Sequence, residues 1–288
     1  MTQIQWFPGH MAKARRQVEE KLKLVDIVYE LLDARIPLSS RNPLINEITR
    51  KKPRLIILNK ADLADPAETR KFIDHFASRG EPALAVNSLT GSPLPAIMSK
   101  TNEILRALRE KESKKGMKPR PFRGMVLGIP NVGKSQFINR LAGKNKAKTG
   151  DIPGITRMQV YLRAGNDLEL LDNPGILWPR FESETVAKHL ALVGSIKEEV
   201  FPLEEVALYG IGLLASRYPA RLKERYGIPS VESAEPLTLL EDIGKVRGCL
   251  LAGGLIDHER VCKLFLHDFR HLMFGPLSIE RVTDDGSL

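Results

Sequence analysis

Two short runs in this chain have residue types and spacing suited to a particular chemistry. Gly128-Ile129-Pro130-Asn131-Val132-Gly133-Lys134-Ser135 has the pattern of a phosphate-cradling loop. An apolar run, Gly124 to Ile129, reads as a strand before it, and a helical pattern continues to Leu141. In that context backbone N–H groups of Asn131, Val132 and Gly133 turn inward around the α and β phosphates of a nucleotide. Lys134 supplies a point charge to the β and γ phosphates, and the Ser135 hydroxyl can ligate Mg²⁺. The bland alternative is the same spacing in a structural turn, which the flanking strand and helix disfavour.

The second run is Asn59-Lys60-Ala61-Asp62, at the end of the apolar stretch Leu55 to Leu58. A carboxylate at Asp62 can accept both the ring N–H and the exocyclic amino group of guanine. Adenine presents neither donor there and would leave the carboxylate unpaired, so such a site rejects it strongly. Asn59 is expected to reach the O6/N7 edge, and the Lys60 stem to cover the base or the phosphate loop. Alone, this tetrapeptide would read as a helix cap. Asn87-Ser88-Leu89-Thr90-Gly91, after the next apolar run, fits a second base-contacting loop, with Ser88 on the base side.

Three further positions complete a guanine-nucleotide switch. Asp172-Asn173-Pro174-Gly175 follows a strand pattern, so Asp172 can hold Mg²⁺ through water and the Gly175 N–H can sense a γ-phosphate. Within Pro153-Gly154-Ile155-Thr156, Thr156 is the expected hydroxyl that closes on Mg²⁺, with Thr149 as its rival. Ile176 occupies the place where many GTPases carry a water-orienting glutamine, and an isoleucine cannot orient water. The catalytic group must then come from elsewhere. His10 is the candidate within the chain, and Asn131 could lend an oxygen to a monovalent cation beside the phosphates.

These pieces need a scaffold that brings strand ends together. Asp26 to Leu32, Arg54 to Leu58 and Pro82 to Val86 are buried parallel-strand patterns, with helical patterns at Ala67 to Ser78 and Pro95 to Leu108. Gln159 to Arg163 and Asp167 to Leu171 read as a hairpin. The alternation predicts an α/β doubly wound sheet. From about Glu184 only helical patterns follow, with apolar stripes at Val186, Leu190, Val193 and Ile196 and at Val261, Leu264, Phe265, Phe269 and Leu272. The expected organisation is an N-terminal arm (1–14), a nucleotide-binding domain (15–178) and a small all-helical domain (179–288). Residues 109–123, rich in Lys, Arg, Gly and Pro, read as a solvated basic linker inside the middle domain.

With 42% hydrophobic and 27% charged residues, the composition is that of a globular chain. No apolar run approaches the ~20 residues of a membrane span. Only two cysteines are present, too few for a disulfide scaffold or metal cage, so a reducing cytoplasm fits. A net charge of +9 favours a polyanionic partner such as nucleic acid. Lys245, Arg247, Arg260, Lys263 and Arg270 are candidate phosphate contacts, against the alternative of a solvated helix face. Phe265 and Phe269 read as core, and Cys262 with His267 as structural.

The order of the motifs, base-reading before phosphate loop, resembles the circularly permuted P-loop GTPases. Trp6-Phe7-Pro8-Gly9-His10-Met11 and Asp33-Ala34-Arg35-Ile36-Pro37 are similar to segments of the ribosome biogenesis GTPase A family, and the likeness spans nearly the whole chain. The resemblance implies a cytoplasmic, Mg²⁺-dependent GTPase acting late in large-subunit assembly, monomeric off the ribosome. It also implies slow GTP-to-GDP turnover, accelerated by the immature subunit and favoured by potassium, with an arm histidine as catalytic candidate. Its partners would be the subunit precursor and rRNA, with no membrane and no DNA. Because the chain leaves the sheet after Gly175, loss of the γ-phosphate is expected to loosen that exit and re-angle the helical domain. The rival readings are a non-catalytic RNA-binding scaffold that holds GTP as a structural ligand and a P-loop ATPase or kinase.

Overall fold

The computed structural model describes residues 15–16, 18–143, 161–171, 183–228, 230–231 and 234–282. They fall into two compact units. One spans the sheet and takes in residues 280–282; the other is helical and runs to Ile279.

Six strands form the sheet: β1 (Ile27–Asp33), β2 (Arg54–Asn59), β3 (Ala83–Val86), β4 (Phe122–Gly128), β5 (Tyr161–Ala164) and β6 (Leu168–Leu171). Their order is 3-2-1-4-6-5, parallel throughout except for the β5–β6 hairpin. The chain lays strands outward from β1 to β3, then returns to add β4 on the other side of β1. A switch of direction between β1 and β4 leaves a crevice beyond their carboxyl ends, where open α/β sheets bind ligands. The phosphate loop leaves β4 there, and Asp33 ends β1 beside it.

Alternation of side chains along each strand divides the core between the two faces. Tyr29 on β1 points to one face, where its hydroxyl bonds Thr101 of α3 (Leu94–Ile104) at 2.9 Å and its ring meets Phe137 of α5 (Lys134–Ala142). Leu32 points to the other and packs with Ile56, Leu58, and Phe72 and Phe76 of α2 (Pro66–Ser78). Val28, Met125 and Leu127 are covered on that side by Val18 and Leu22 of the N-terminal helical segment and Ile45 of α1 (Pro43–Thr49). Glycine is required at 128 by crowding: a Cβ there would lie 2.7 Å from the Leu31 carbonyl oxygen.

The expected linker 109–123 needs correction. Residues Arg106–Lys114 form helix α4, and Phe122 and Arg123 already belong to β4. The segment lacks an apolar period because charged side chains make its contacts. Arg120 binds Asp26 through two nitrogens, at 2.8 and 2.9 Å, and also reaches Glu112, while the Arg109 guanidinium lies 3.7 Å from the Phe122 ring centroid. Burial raises the Asp26 pKa, but bonds from Arg120 and the Arg123 N–H outweigh it and hold the carboxyl low. Arg120 thus ties the segment before β4 to the start of β1 and to α4.

The helical unit contains α6 (Glu184–Leu192), α7 (Leu203–Arg217), α8 (Pro219–Tyr226), α9 (Pro236–Val246) and α10 (His258–Arg270). Leu190, Val193, Ile196, Val261, Phe265 and Phe269 are buried as the stripes predict, and Phe265 and Phe269 pack against Phe274 in tilted and edge-on geometry. Leu272 departs from its stripe: it lies past the end of α10 at φ 64° and is 40% exposed. Two of the candidate RNA-contacting arginines are engaged within the unit. Arg270 donates to the Ala191 and Leu192 carbonyls at the end of α6 and pairs with Glu198. The Ala191 carbonyl also accepts from the Gly194 N–H at 3.1 Å, and the arginine adds donors at a helix end, where carbonyls run short of partners. Arg247 likewise donates to the Arg225 carbonyl at 2.6 Å. Cys262 is fully buried with its thiol pushed up to about 11 by desolvation, and no metal-holding cluster exists among the described residues.

Candidate guanine-nucleotide site

The two motifs that the sequence separates meet at the carboxyl edge of the sheet. Register pairs Asp33 with Asn59 and Asn59 with Val86, so the ends of β1, β2 and β3 are level with each other. Beside them the phosphate loop runs from β4 into α5.

Asn59 joins these loops. It is 1% exposed; its side-chain amide donates to the Val132 carbonyl at 2.8 Å and its oxygen accepts from Ser88 Oγ at 2.6 Å. The base-reading motif, the second base loop and the phosphate loop are therefore fastened to one another by one side chain. One amide hydrogen of Asn59 is used on the Val132 carbonyl, and the NH₂ group carries a second donor hydrogen. Ser88, likewise buried, is an internal partner of Asn59, and its carbonyl receives the Arg140 Nε from α5 at 3.2 Å. Asn87 shapes the loop, its side-chain oxygen accepting from the Leu89 and Thr90 N–H groups.

Lys60 stands at φ 57°, a left-handed conformation that costs a non-glycine residue on the order of 1–3 kcal/mol. Three contacts hold it there, one of them the Leu63 N–H on the Lys60 carbonyl at 2.9 Å. The Ala61 N–H bonds the Val86 carbonyl at 3.2 Å, and the Lys60 ammonium lies 3.0 Å from Asp33 Oδ2. Asp33 is fully buried; burial pushes its pKa up, but the charges of Arg35 and Lys60 and their bonds more than reverse that. Its carboxyl is held well below the usual carboxylate range and stays ionised. The backbone thus turned leaves Asp62 half-buried, with no hydrogen bond or ion pair from any described residue. Two free carboxylate oxygens at the rim suit the paired N–H groups of guanine.

On the phosphate side, Gly133 sits at φ 96° where a Cβ would lie 2.4 Å from Asn59 Nδ2, so only glycine fits. No side chain caps α5, which leaves its amino end to an anion. Lys134 is 8% exposed and its ammonium donates to the Ile129 carbonyl at 2.7 Å, bridging the mouth of the loop. Val132 is buried, Asn131 is exposed in a left-handed turn (φ 58°), and Ser135 is exposed in the first turn of α5. Of the expected Mg²⁺ set, Ser135 alone is described, and its exposed hydroxyl beside Lys134 suits a hard cation. His10, Thr149, Thr156, Asp172, Gly175 and Ile176 lie outside the described residues.

Asp33 was not singled out as a site residue. The signal was available: it is a carboxylate closing the apolar run Ile27–Leu32 parallel to the strand that ends in Asn59.

Comparison with known proteins decides the family. A protein-family model described as "50S ribosome-binding GTPase" matches residues 123–207. The chain is 53% identical over 281 residues to a "Ribosome biogenesis GTPase A" from Bacillus licheniformis, covering 98% of this chain and 99% of that one. This chain belongs to the ribosome biogenesis GTPase A family. Solved structures agree: GNP-bound YlqF from T. maritima has a TM-score of 0.64 at 29% identity, covering 93% of this chain and 98% of that one. A GDP-bound form of that protein also scores 0.64, at 28% identity, covering 92% and 99%. As a member of that family, the chain binds guanine nucleotides and hydrolyses GTP. No described helix is long and apolar enough to cross a membrane.

Asn59→Ala should weaken GDP binding by roughly 5–150-fold, because it leaves the Val132 carbonyl and Ser88 hydroxyl unpaired at about 1–3 kcal/mol. Titration with a fluorescent GDP analogue measures this, and unchanged affinity would show that Asn59 does not hold the pocket together.

Proposed function

We propose that this family member binds the immature large ribosomal subunit and couples GTP hydrolysis to a late maturation step and its own release. The observation behind this reading is the Asn59 bridge, which fuses base loop and phosphate loop into one pocket. The family model's description and the names of the relatives support the ribosomal partner.

In this reading Asp62 accepts from the guanine ring N–H and amino group, and the Lys60 stem covers the base plane. Backbone N–H groups of Asn131, Val132 and Gly133 and the start of α5 receive the phosphates. Lys134 moves from the Ile129 carbonyl to the β and γ oxygens, where its charge counters that developing in the transition state. Ser135, Thr156 and Asp172 would hold Mg²⁺, which supplies further positive charge there. Gly175 reports the γ-phosphate, and Asn131 offers an oxygen to K⁺. His10 or rRNA places the attacking water, since Ile176 cannot. The rRNA contacts fall to exposed Lys245, Arg260 and Lys263, while Arg247 and Arg270 serve packing. The protein works in the cytoplasm, as a monomer away from the ribosome, without membrane or DNA partners.

Two measurements test this. Asp62→Asn should move preference from guanosine toward xanthosine nucleotides, since an amide can donate to the xanthine carbonyl; retained GTP preference would remove Asp62 from base reading. In single turnover, purified large-subunit precursor should accelerate phosphate release, and no acceleration would support a role in which GTP is only a structural ligand.

A further inference from the structure

After Ile279 the chain leaves the helical unit, and residues 280–282 pack as part of the nucleotide-binding unit. Glu280 grips the turn after β1 at several points. Its carboxylate accepts from the Leu38 N–H at 2.6 Å and the Ser39 N–H at 2.9 Å, and from the Ser39 hydroxyl. Its own N–H donates to the Arg35 carbonyl at 3.2 Å. Two residues on, Val282 is 8% exposed and belongs to the cluster of Leu32, Ala34, Leu58 and Ala64, against which Leu38 and Ala61 pack. Ala61 is the residue between Lys60 and Asp62.

The gripped turn supports Asp33. Arg35 donates to Asp33 from its backbone N–H at 3.1 Å and from two guanidinium nitrogens at 2.9 and 2.8 Å, and Ser40 Oγ receives the Asp33 N–H at 3.0 Å. Asp33 in turn holds the Lys60 ammonium. A contiguous set of bonds therefore runs from Glu280 through residues 35–40 and Asp33 to Lys60, and every member lies in one unit.

We infer that Glu280 is a positioning residue of the guanine pocket: it fixes the 35–40 turn, and thereby Asp33 and Lys60, so nucleotide affinity depends on a segment encoded beyond the helical domain. This rests on the base-pocket reading above. The turn holds one proline, Pro37, and its internal bonds run from the Ile36 N–H to Asp33 and from Ser40 to the Ile36 carbonyl. Glu280 adds the bonds to the Leu38 and Ser39 N–H groups and the Arg35 carbonyl, and without them the Arg35–Asp33 pair is less firmly framed. The left-handed Lys60 then loses support for the one side-chain contact, to Asp33, that keeps it there.

The test is a double-mutant cycle on the full-length protein, with a fluorescent GDP analogue as probe. Glu280→Ala should weaken GDP binding at least about five-fold, and GTP-analogue binding equally. In a Lys60→Ala background the same substitution should change affinity much less, because the route ends at Lys60. If Glu280→Ala fails to fold, Glu280→Gln, which keeps one acceptor oxygen and the packing, replaces it with a smaller loss and the same dependence on Lys60. An unchanged Kd in a folded variant, or an equal loss with and without Lys60, would overturn the inference, the latter marking a general structural role. Wild-type discrimination between GDP and ADP reports the base pocket by itself. No discrimination sinks that reading, whereas discrimination with Glu280 substitutions silent sinks only this one.

Discussion

One buried amide carries the site. Asn59 touches the Val132 backbone with one end and Ser88 with the other, and both contacts are under 3 Å. The nucleotide pocket needs a base-reading carboxylate and a phosphate cradle at a fixed separation, and these come from different strands in permuted order. Parallel pairing puts the strand ends level, but loops beyond a sheet are free to diverge. The Asn59 link removes that freedom, and the close approach it demands is why residue 133 has no side chain.

Around that link, charge is arranged to hold backbone geometry. Asp33 is a buried carboxylate at the topological switch, and burial alone would neutralise it. Arg35 and Lys60 keep it ionised, and the ionised carboxylate then holds Lys60 in a conformation it would not choose. A second buried carboxylate, Glu30, shows what happens with weaker compensation. Burial raises its pKa even though Arg54 lies 3.1 Å and Arg41 3.6 Å away. The difference lies in the partners: Asp33 receives well-formed bonds from Arg35, whereas Glu30 shares Arg41 and Arg54 with the Glu81 carboxylate, whose like charge opposes its ionisation. Ionic pairing alone does not offset desolvation.

Much of this was legible in the sequence, and the reasons differ by element. The phosphate loop and the apolar strands are local patterns, and each stands where it was expected, with strand ends shifted by one or two residues. Residues 109–123 were misread because the helix Arg106–Lys114 satisfies itself with ion pairs and an arginine over Phe122, which leave no apolar period to see. The contacts of Asn59 with Val132 and Ser88 are not legible locally, since the phosphate loop it touches lies far along the chain. The Asp33–Lys60 pair depends on β1–β2 register, and Glu280 on a return of the chain after a whole helical unit. No local pattern encodes either. Arg247 and Arg270 show the converse: a basic residue near a helix end serves the helix before it serves a partner.

The most direct test of the whole account is a crystal structure of this protein with a non-hydrolysable GTP analogue. The account predicts the guanine ring N–H and amino group both within about 3 Å of the Asp62 carboxylate, with the β and γ phosphates at Lys134 and the first turn of α5. A base bound away from Asp62, or phosphates away from α5, would contradict it.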